Sequence, residues 1–158
     1  MPGDGPTLFC FDGSEDSRAA LAAAARRLRP GPAVVLTVWE TVALRVASRA
    51  FAGGMTVANE EEIDSREEAA ARAAADEGAR AAREHGWDAT PRIAGVRTME
   101  WRTIVDVADE LDAGLIVCGT RGLGGVRSLV LGSVSRAVLQ HAGRPVLIAP
   151  APAPSRSP

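Results

Sequence analysis

Three stretches of this chain, Ala33 to Val38, Leu115 to Cys118 and Val146 to Ala149, are almost wholly apolar and rich in β-branched residues. A strand with one face in water alternates polar and apolar side chains. A strand apolar on both sides is covered on both, as in a parallel sheet held between two layers of helices. Thr7 to Phe11 is a fourth such run, ending in the turn signal Asp12-Gly13-Ser14, and Pro91 to Val96 is a weaker fifth. Between these runs the period changes. Leu21, Ala24, Ala25 and Leu28 recur at helical spacing and stop before Pro30-Gly31-Pro32. An Ala/Glu/Arg pattern runs from about Glu60 to Glu84 and ends at His85-Gly86. Ile104, Val107, Ala108 and Leu111 mark a third helix, and Val134 to His141, opening at Ser133, a fourth. Thr41 to Asn59 fits neither period. Its apolar-basic patch (Leu44, Val46, Phe51) followed by Gly53-Gly54 reads as a flexible cover.

Five strands alternating with four helices predict an α/β fold, a doubly wound five-stranded parallel sheet with helices on both faces, since right-handed crossovers join parallel strands. Ligands of such sheets sit beyond the carboxyl ends of the strands, where the strand order reverses. The two most suggestive turns, at Asp12 and Gly119, follow the first and fourth strands. If both serve one site, those strands are neighbours and the order is 3-2-1-4-5, not the flavodoxin-like 2-1-3-4-5. With 158 residues there is room for one domain, residues 1–150, followed by a flexible Pro/Ser tail, 151–158.

Charge and composition narrow the partners. A net charge of -2 gives no footprint for nucleic acid, and no apolar run reaches membrane-spanning length. The start Met-Pro-Gly-Asp-Gly-Pro lacks the basic and apolar parts of a secretory signal, and the two cysteines, Cys10 and Cys118, lie far apart in sequence; a cytoplasmic protein is expected. Both cysteines read as small core residues. All 18 basic residues are arginine, which excludes a lysine-dependent phosphate loop and Schiff-base chemistry.

The segment Gly119 to Ser135 joins a buried strand to a helix start. Gly119 and Gly122 permit a sharp bend and a close approach to a ligand. Gly132 and Ser133 then offer amides and a hydroxyl at a helix N-terminus, where the dipole favours negative charge. Read alone, the segment is as well explained as a glycine-rich connection with Ser133 as the helix cap.

Its spacing, Gly119, Gly122 and then Gly132-Ser133 after nine residues, resembles the G-x2-G-x9-G-[ST] nucleotide-binding pattern of the universal stress protein family. The likeness extends to Phe11-Asp12-Gly13-Ser14, to Leu115-Ile116-Val117-Cys118 before the glycines, and to Leu131-Gly132-Ser133-Val134 through Pro145-Val146-Leu147-Ile148. The resemblance implies a fold like that of the adenine nucleotide alpha hydrolases and membership of the ATP-binding branch. It implies that Asp12 contacts the ribose or adenine side and that Val38 meets adenine with its backbone. Gly119, Arg121, Gly122, Gly132, Ser133, Val134 and Ser135 would contact phosphate and ribose, with Cys118 lining the entrance. Arg127 is added on its charge and place in the loop. The resemblance also implies a homodimer through the last strand, whose Val146, Leu147 and Ile148 lack the charges that guard a sheet edge.

These expectations add up to a cytoplasmic ATP-binding switch, with Mg²⁺ held mainly by the phosphates, slow hydrolysis at most, and a protein partner that the sequence does not name. No general base, nucleophile pair or metal cluster accompanies the cradle. The rival is an enzyme of the adenine-nucleotide hydrolase type, whose first loop is S-G-G-x-D-S. Here that segment is Asp12-Gly13-Ser14-Glu15-Asp16-Ser17, which keeps the final Asp-Ser but places a carboxylate where pyrophosphate would lie. A dinucleotide fingerprint fails, because Gly122-x-Gly124 is followed by Arg127 where glycine is needed. Arg97-Thr98-Met99-Glu100-Trp101 also departs from the small glycine-containing turn common in the family. His85 and His141 read as residues of helix C-termini, and Trp39, Trp87 and Trp101 as packing at element ends.

Overall fold

The computed structural model describes residues 4–49, 59–120 and 131–150. In chain order the elements are β1 (Thr7–Cys10), α1 (Glu15–Arg27), β2 (Pro32–Trp39), α2 (Val42–Arg49), α3 (Glu60–Glu84), β3 (Asp88–Gly95), α4 (Glu100–Glu110), β4 (Leu115–Gly119), α5 (Ser133–His141) and β5 (Val146–Ala149). The five strands form one parallel sheet in the order β3-β2-β1-β4-β5. The doubly wound sheet and its 3-2-1-4-5 order are those expected from the sequence.

The strands that are apolar throughout supply a core on each face. Phe9, Val35 and Val117 point to one side, where they meet Leu21, Ala24 and Ala25 of α1 and Ala79 and Ala82 of α3. Leu8, Leu36 and Ile116 point to the other, against Ile104, Val107 and Ala108 of α4 and Val138 of α5. This is the period-two alternation of a strand, with both halves apolar because both faces carry helices. Small residues let α3 lie close to the sheet. Ala71, Ala75, Gly78, Ala79 and Ala82 form its buried stripe, and a Cβ on Gly78 would stand 2.7 Å from Val35 and 2.9 Å from the Phe11 ring.

Three elements differ from the sequence expectation. α2 is a helix inside the segment read as a flexible cover. Its start is capped locally, with Thr41 Oγ1 accepting from the Leu44 amide at 3.2 Å, and from afar, with Asp64 Oδ1 of α3 accepting from the Val42 amide at 2.6 Å. Residues 50–58, which include Phe51 and Gly53-Gly54, lie outside the described residues. β3 begins three residues before Pro91, because the eight residues of β2 give it a partner along its whole length. As an edge strand it accommodates both Pro91 and its polar neighbours. α4 starts a turn before Ile104, behind Met99, which makes no side-chain cap and so left no cap signature to read.

Trp87 is buried edge-on against Phe9, with centroids 5.2 Å apart, while Trp101 of α4 stacks on His141 at the end of α5, with centroids 4.6 Å apart. Arg144 joins α4 to the start of β5. Its guanidinium donates to the carbonyls of Ala108 at 2.8 Å and Ala113 at 2.7 Å and pairs with Asp109.

Candidate nucleotide site at the carboxyl end of the sheet

β1 and β4 are neighbours, with Phe9 opposite Val117, so the turns that follow them open side by side. Here the structure brings together Asp12, Val38, Cys118, Gly119, Gly132, Ser133, Val134 and Ser135, which span most of the chain. Arg121, Gly122 and Arg127 lie outside the described residues.

The β1–α1 turn is closed by its own side chains. Asp12 Oδ1 accepts from the Ser14 amide at 2.9 Å, an Asx turn, and Ser14 Oγ accepts from the Ser17 amide at 3.1 Å as the cap of α1. Thr37 Oγ1 donates to the Phe11 carbonyl at 2.6 Å and holds the turn to β2. Donors that a pyrophosphate loop would direct at its ligand are thus engaged within the protein, which weighs against the hydrolase-type reading of Asp12 to Ser17. Arg18 fastens the outside of the turn. It donates to the Gly13 carbonyl and forms a two-pronged pair with Glu77 of α3, at 2.7 and 3.2 Å.

The β4–α5 connection is built differently. Gly132, not Ser133, is the cap residue of α5, and having no side chain it cannot accept from the first amides of the helix. No acidic residue lies in the first turn, whereas α1 has a serine cap and carries Glu15 and Asp16 there. The first turn of α5 therefore faces the carboxyl end of the sheet with neither a capping side chain from Gly132 nor an acidic residue of its own, a setting that favours an anion. The two ends of the connection meet: the Gly132 amide donates to the Thr120 carbonyl at 2.8 Å, and Ser135 Oγ donates to the Gly119 carbonyl at 2.7 Å. Gly119 also has a packing reason to be glycine, since a Cβ there would lie 3.0 Å from the backbone carbon and oxygen of Asp16.

The opposite rim is acidic. Glu100, at the start of α4, has its carboxyl raised above the ordinary value, first by loss of hydration at the sheet end and then by the negative charges of Asp12 and Glu40. Cys118, expected at the entrance of the site, is instead 4% exposed and packed in the core beside α4 and α5, and Cys10 packs against the same cluster. A hydrogen bond with Cys118, followed by burial, raises the Cys10 thiol well above its usual range and keeps it protonated. Glu40, Glu100 and Thr120 were not singled out for this site from sequence, and Asp16 entered only through the hydrolase-type reading of the first loop. Helical or strand periodicity carries no mark of which residues of distant elements meet at a sheet end.

Among the described residues, no group of three or more His, Cys, Asp or Glu side chains could hold a metal ion. No described helix is long and apolar enough to cross a membrane.

The family model that matches this chain is that of the universal stress protein family, over residues 6–150. A relative in Staphylococcus saprophyticus that bears the universal stress protein name is 45% identical over 42 residues, 27% of this chain and 25% of the relative, so the matched segment spans about a quarter of that protein. The universal stress protein of Archaeoglobus fulgidus is 27% identical and superposes with a TM-score of 0.63, covering 91% of this chain and 97% of its own; its complex with dAMP is 25% identical, with a TM-score of 0.56 and coverage of 94% and 98%. A universal stress protein family member of Arabidopsis thaliana with AMP bound shares the fold, at a TM-score of 0.65 and 16% identity over 96% of this chain and 97% of its own.

Proposed function

This chain belongs to the universal stress protein family, and we propose from that premise that it is an adenine-nucleotide-binding module that takes ATP as its Mg²⁺ complex and works as a nucleotide-dependent switch rather than as an ATPase. The observation that carries the reading is the first turn of α5, which has a glycine cap and no acidic residue and is drawn to the end of β4 by the bond from the Gly132 amide to the Thr120 carbonyl. The complete glycine spacing of Gly119, Gly122 and Gly132-Ser133 supports it, as do the adenine nucleotides in the Archaeoglobus fulgidus and Arabidopsis thaliana structures. In this reading the amides of Ser133, Val134 and Ser135 meet the phosphates, with charge from Arg121 and Arg127 in a chain that has no lysine. In this reading the direction of the ligand follows from the charges around it. Asp12, Glu40 and Glu100 repel phosphate and accept from hydroxyl or amino groups, which places ribose and base beside Asp12 and the backbone of Val38. Mg²⁺ is held chiefly by the phosphates, as suits an ion that keeps most of its water.

The protein acts in the cytoplasm as a homodimer paired through β5, whose Val146, Leu147 and Ile148 are only half-buried in one copy. Nucleotide state alters the surface offered to a protein partner. Mass spectrometry of nucleotide co-purifying with the chain, followed by calorimetric titration with Mg²⁺-ATP, tests the reading. Wild-type protein is expected to retain adenine nucleotide, while Gly122→Ala and Gly132→Ala lose it. Equal retention in all three overturns it.

A further inference from the structure

We propose that Asp16 is a positioning residue of this site: through Thr120 it sets the corner at which the chain leaves β4, and thereby governs how tightly the phosphates of a nucleotide are held. The inference rests on the nucleotide reading above and adds a residue to it. Asp16 is the second residue of α1, is 9% exposed, and accepts from Thr120 Oγ1 through Oδ2 at 2.9 Å across 104 positions of sequence. Its main chain lies against the neighbouring residue, where Gly119 leaves no room for a Cβ. One residue of α1 thus grips both members of the corner, Gly119 by main-chain packing and Thr120 by its carboxylate.

The corner's two carbonyls are held from the other side. Gly119 receives Ser135 Oγ, and Thr120 receives the Gly132 amide. Both of these partners belong to the cap and first turn of α5, which face the phosphates. A shift of the corner therefore shifts them too, and Asp16 supplies an anchor from outside the 119–135 segment. An acid in the first turn of a helix has an ordinary use, its attraction to the helix dipole. Glu15 serves that use from an exposed position, whereas dipole attraction gives no reason to bury Asp16 against Thr120, since removing a carboxylate from water is unfavourable without such a partner.

Asp16→Ala, Asp16→Asn, Thr120→Val and the Asp16→Ala/Thr120→Val double variant of the full chain would be titrated with Mg²⁺-ATP and with adenosine. Hydrogen exchange at the Gly132 amide would be followed without ligand. Asp16→Ala and Thr120→Val are each expected to weaken Mg²⁺-ATP by about tenfold, the worth of one hydrogen bond. The double variant should be no weaker than either single one. Adenosine binding should be unchanged, because the effect is confined to the phosphate end. Asp16→Asn, whose amide oxygen still accepts from Thr120, should restore ATP affinity, and Gly132 exchange should accelerate in Asp16→Ala but not in Asp16→Asn. Unchanged ATP affinity in both Asp16→Ala and Thr120→Val, a parallel loss of adenosine, or equal losses in the Ala and Asn variants each overturn the proposal. If the wild-type chain takes no nucleotide, the functional reading fails by itself; unaltered Gly132 exchange in Asp16→Ala alongside normal ATP binding would sink the positioning role alone.

Discussion

The hydroxyl of Ser135 donates to the carbonyl of Gly119 at 2.7 Å, tying the end of β4 to the first turn of α5 across 16 residues. Ser135 is buried, so this bond is sheltered from water. Removing the hydroxyl leaves the Gly119 carbonyl without that donor. Ser135→Ala is expected to cost about 1–3 kcal/mol of stability, read from urea unfolding midpoints. It should also weaken Mg²⁺-ATP binding, since the same bond orients the helix start.

Gly119 is packed too closely against α1 to carry a side chain. In Gly119→Ala the new methyl would stand 3.0 Å from the backbone carbon and oxygen of Asp16, atoms that move only if the helix moves. A destabilisation of about 1–3 kcal/mol follows, the usual cost of overpacking. A thermal midpoint equal to that of wild type would mean that α1 yields freely at this contact.

Arg144 holds carbonyls of α4 and of the α4–β4 turn while leading into β5, and its side chain is 14% exposed. Arg144→Gln shortens the reach and removes the fork. The expected loss is about 1.5–3 kcal/mol, the range for hydrogen bonds to a charged donor. Arg144→Lys should recover only part of it, because one ammonium cannot span the Ala108 and Ala113 carbonyls and Asp109 together. Chemical denaturation of the three proteins side by side decides the order.

Glu100 predicts a pH dependence of definite sign. Its carboxyl is raised in the folded protein, so the ionised form is less favourable there than in the unfolded chain. The associated stability is fully present below the ordinary value of about 4.3 and is lost as pH rises through the elevated folded value. Glu100→Gln should therefore match wild type in acid and exceed it at neutral pH, by about 0.5 kcal/mol or less, because the residue, though partly dehydrated on the side facing the sheet end, still meets water over more than a third of its surface. Midpoints measured from pH 4 to 8 that diverge in the opposite sense would refute the assignment.

The dimer proposal can be tested without disturbing the fold of one copy. The Ile116 amide donates to the Pro145 carbonyl, and in the parallel register of β4 and β5 this turns the Leu147 backbone inward and the Val146 and Ile148 amides outward. Ile148→Pro removes an outward donor while sparing the ladder to β4. Sedimentation should show a monomer with native circular dichroism; a dimer as stable as wild type would exclude pairing through this strand.

Much of this architecture was legible before any coordinates. Strands apolar on both faces can be satisfied only between two helical layers, and the alternation with Leu21-Ala24-Ala25 and Ile104-Val107-Ala108 supplies those layers. Even the strand order followed from asking the Asp12 and Gly119 turns to share one site. α2 was missed, although Thr41 before Val42-Ala43-Leu44 is a cap signal, because half of its N-terminal support comes from Asp64 on another helix. The early start of α4 was hidden for a related reason, Met99 being a cap residue that makes no cap bond.

The amino-acid sequence by itself determined the fold class, the order of the strands and the glycine pattern that marks the family. These depend on periodicity and on local backbone freedom, which each residue carries wherever the chain goes. Tertiary structure alone decided that Asp16 grips Thr120, that Cys10 lies beside Cys118, that Gly119 is small for the sake of α1, and that Glu100 faces Asp12 and Glu40. Contacts of this kind depend on the distance between side chains that are remote along the chain, and that distance exists only once the sheet has brought their elements together.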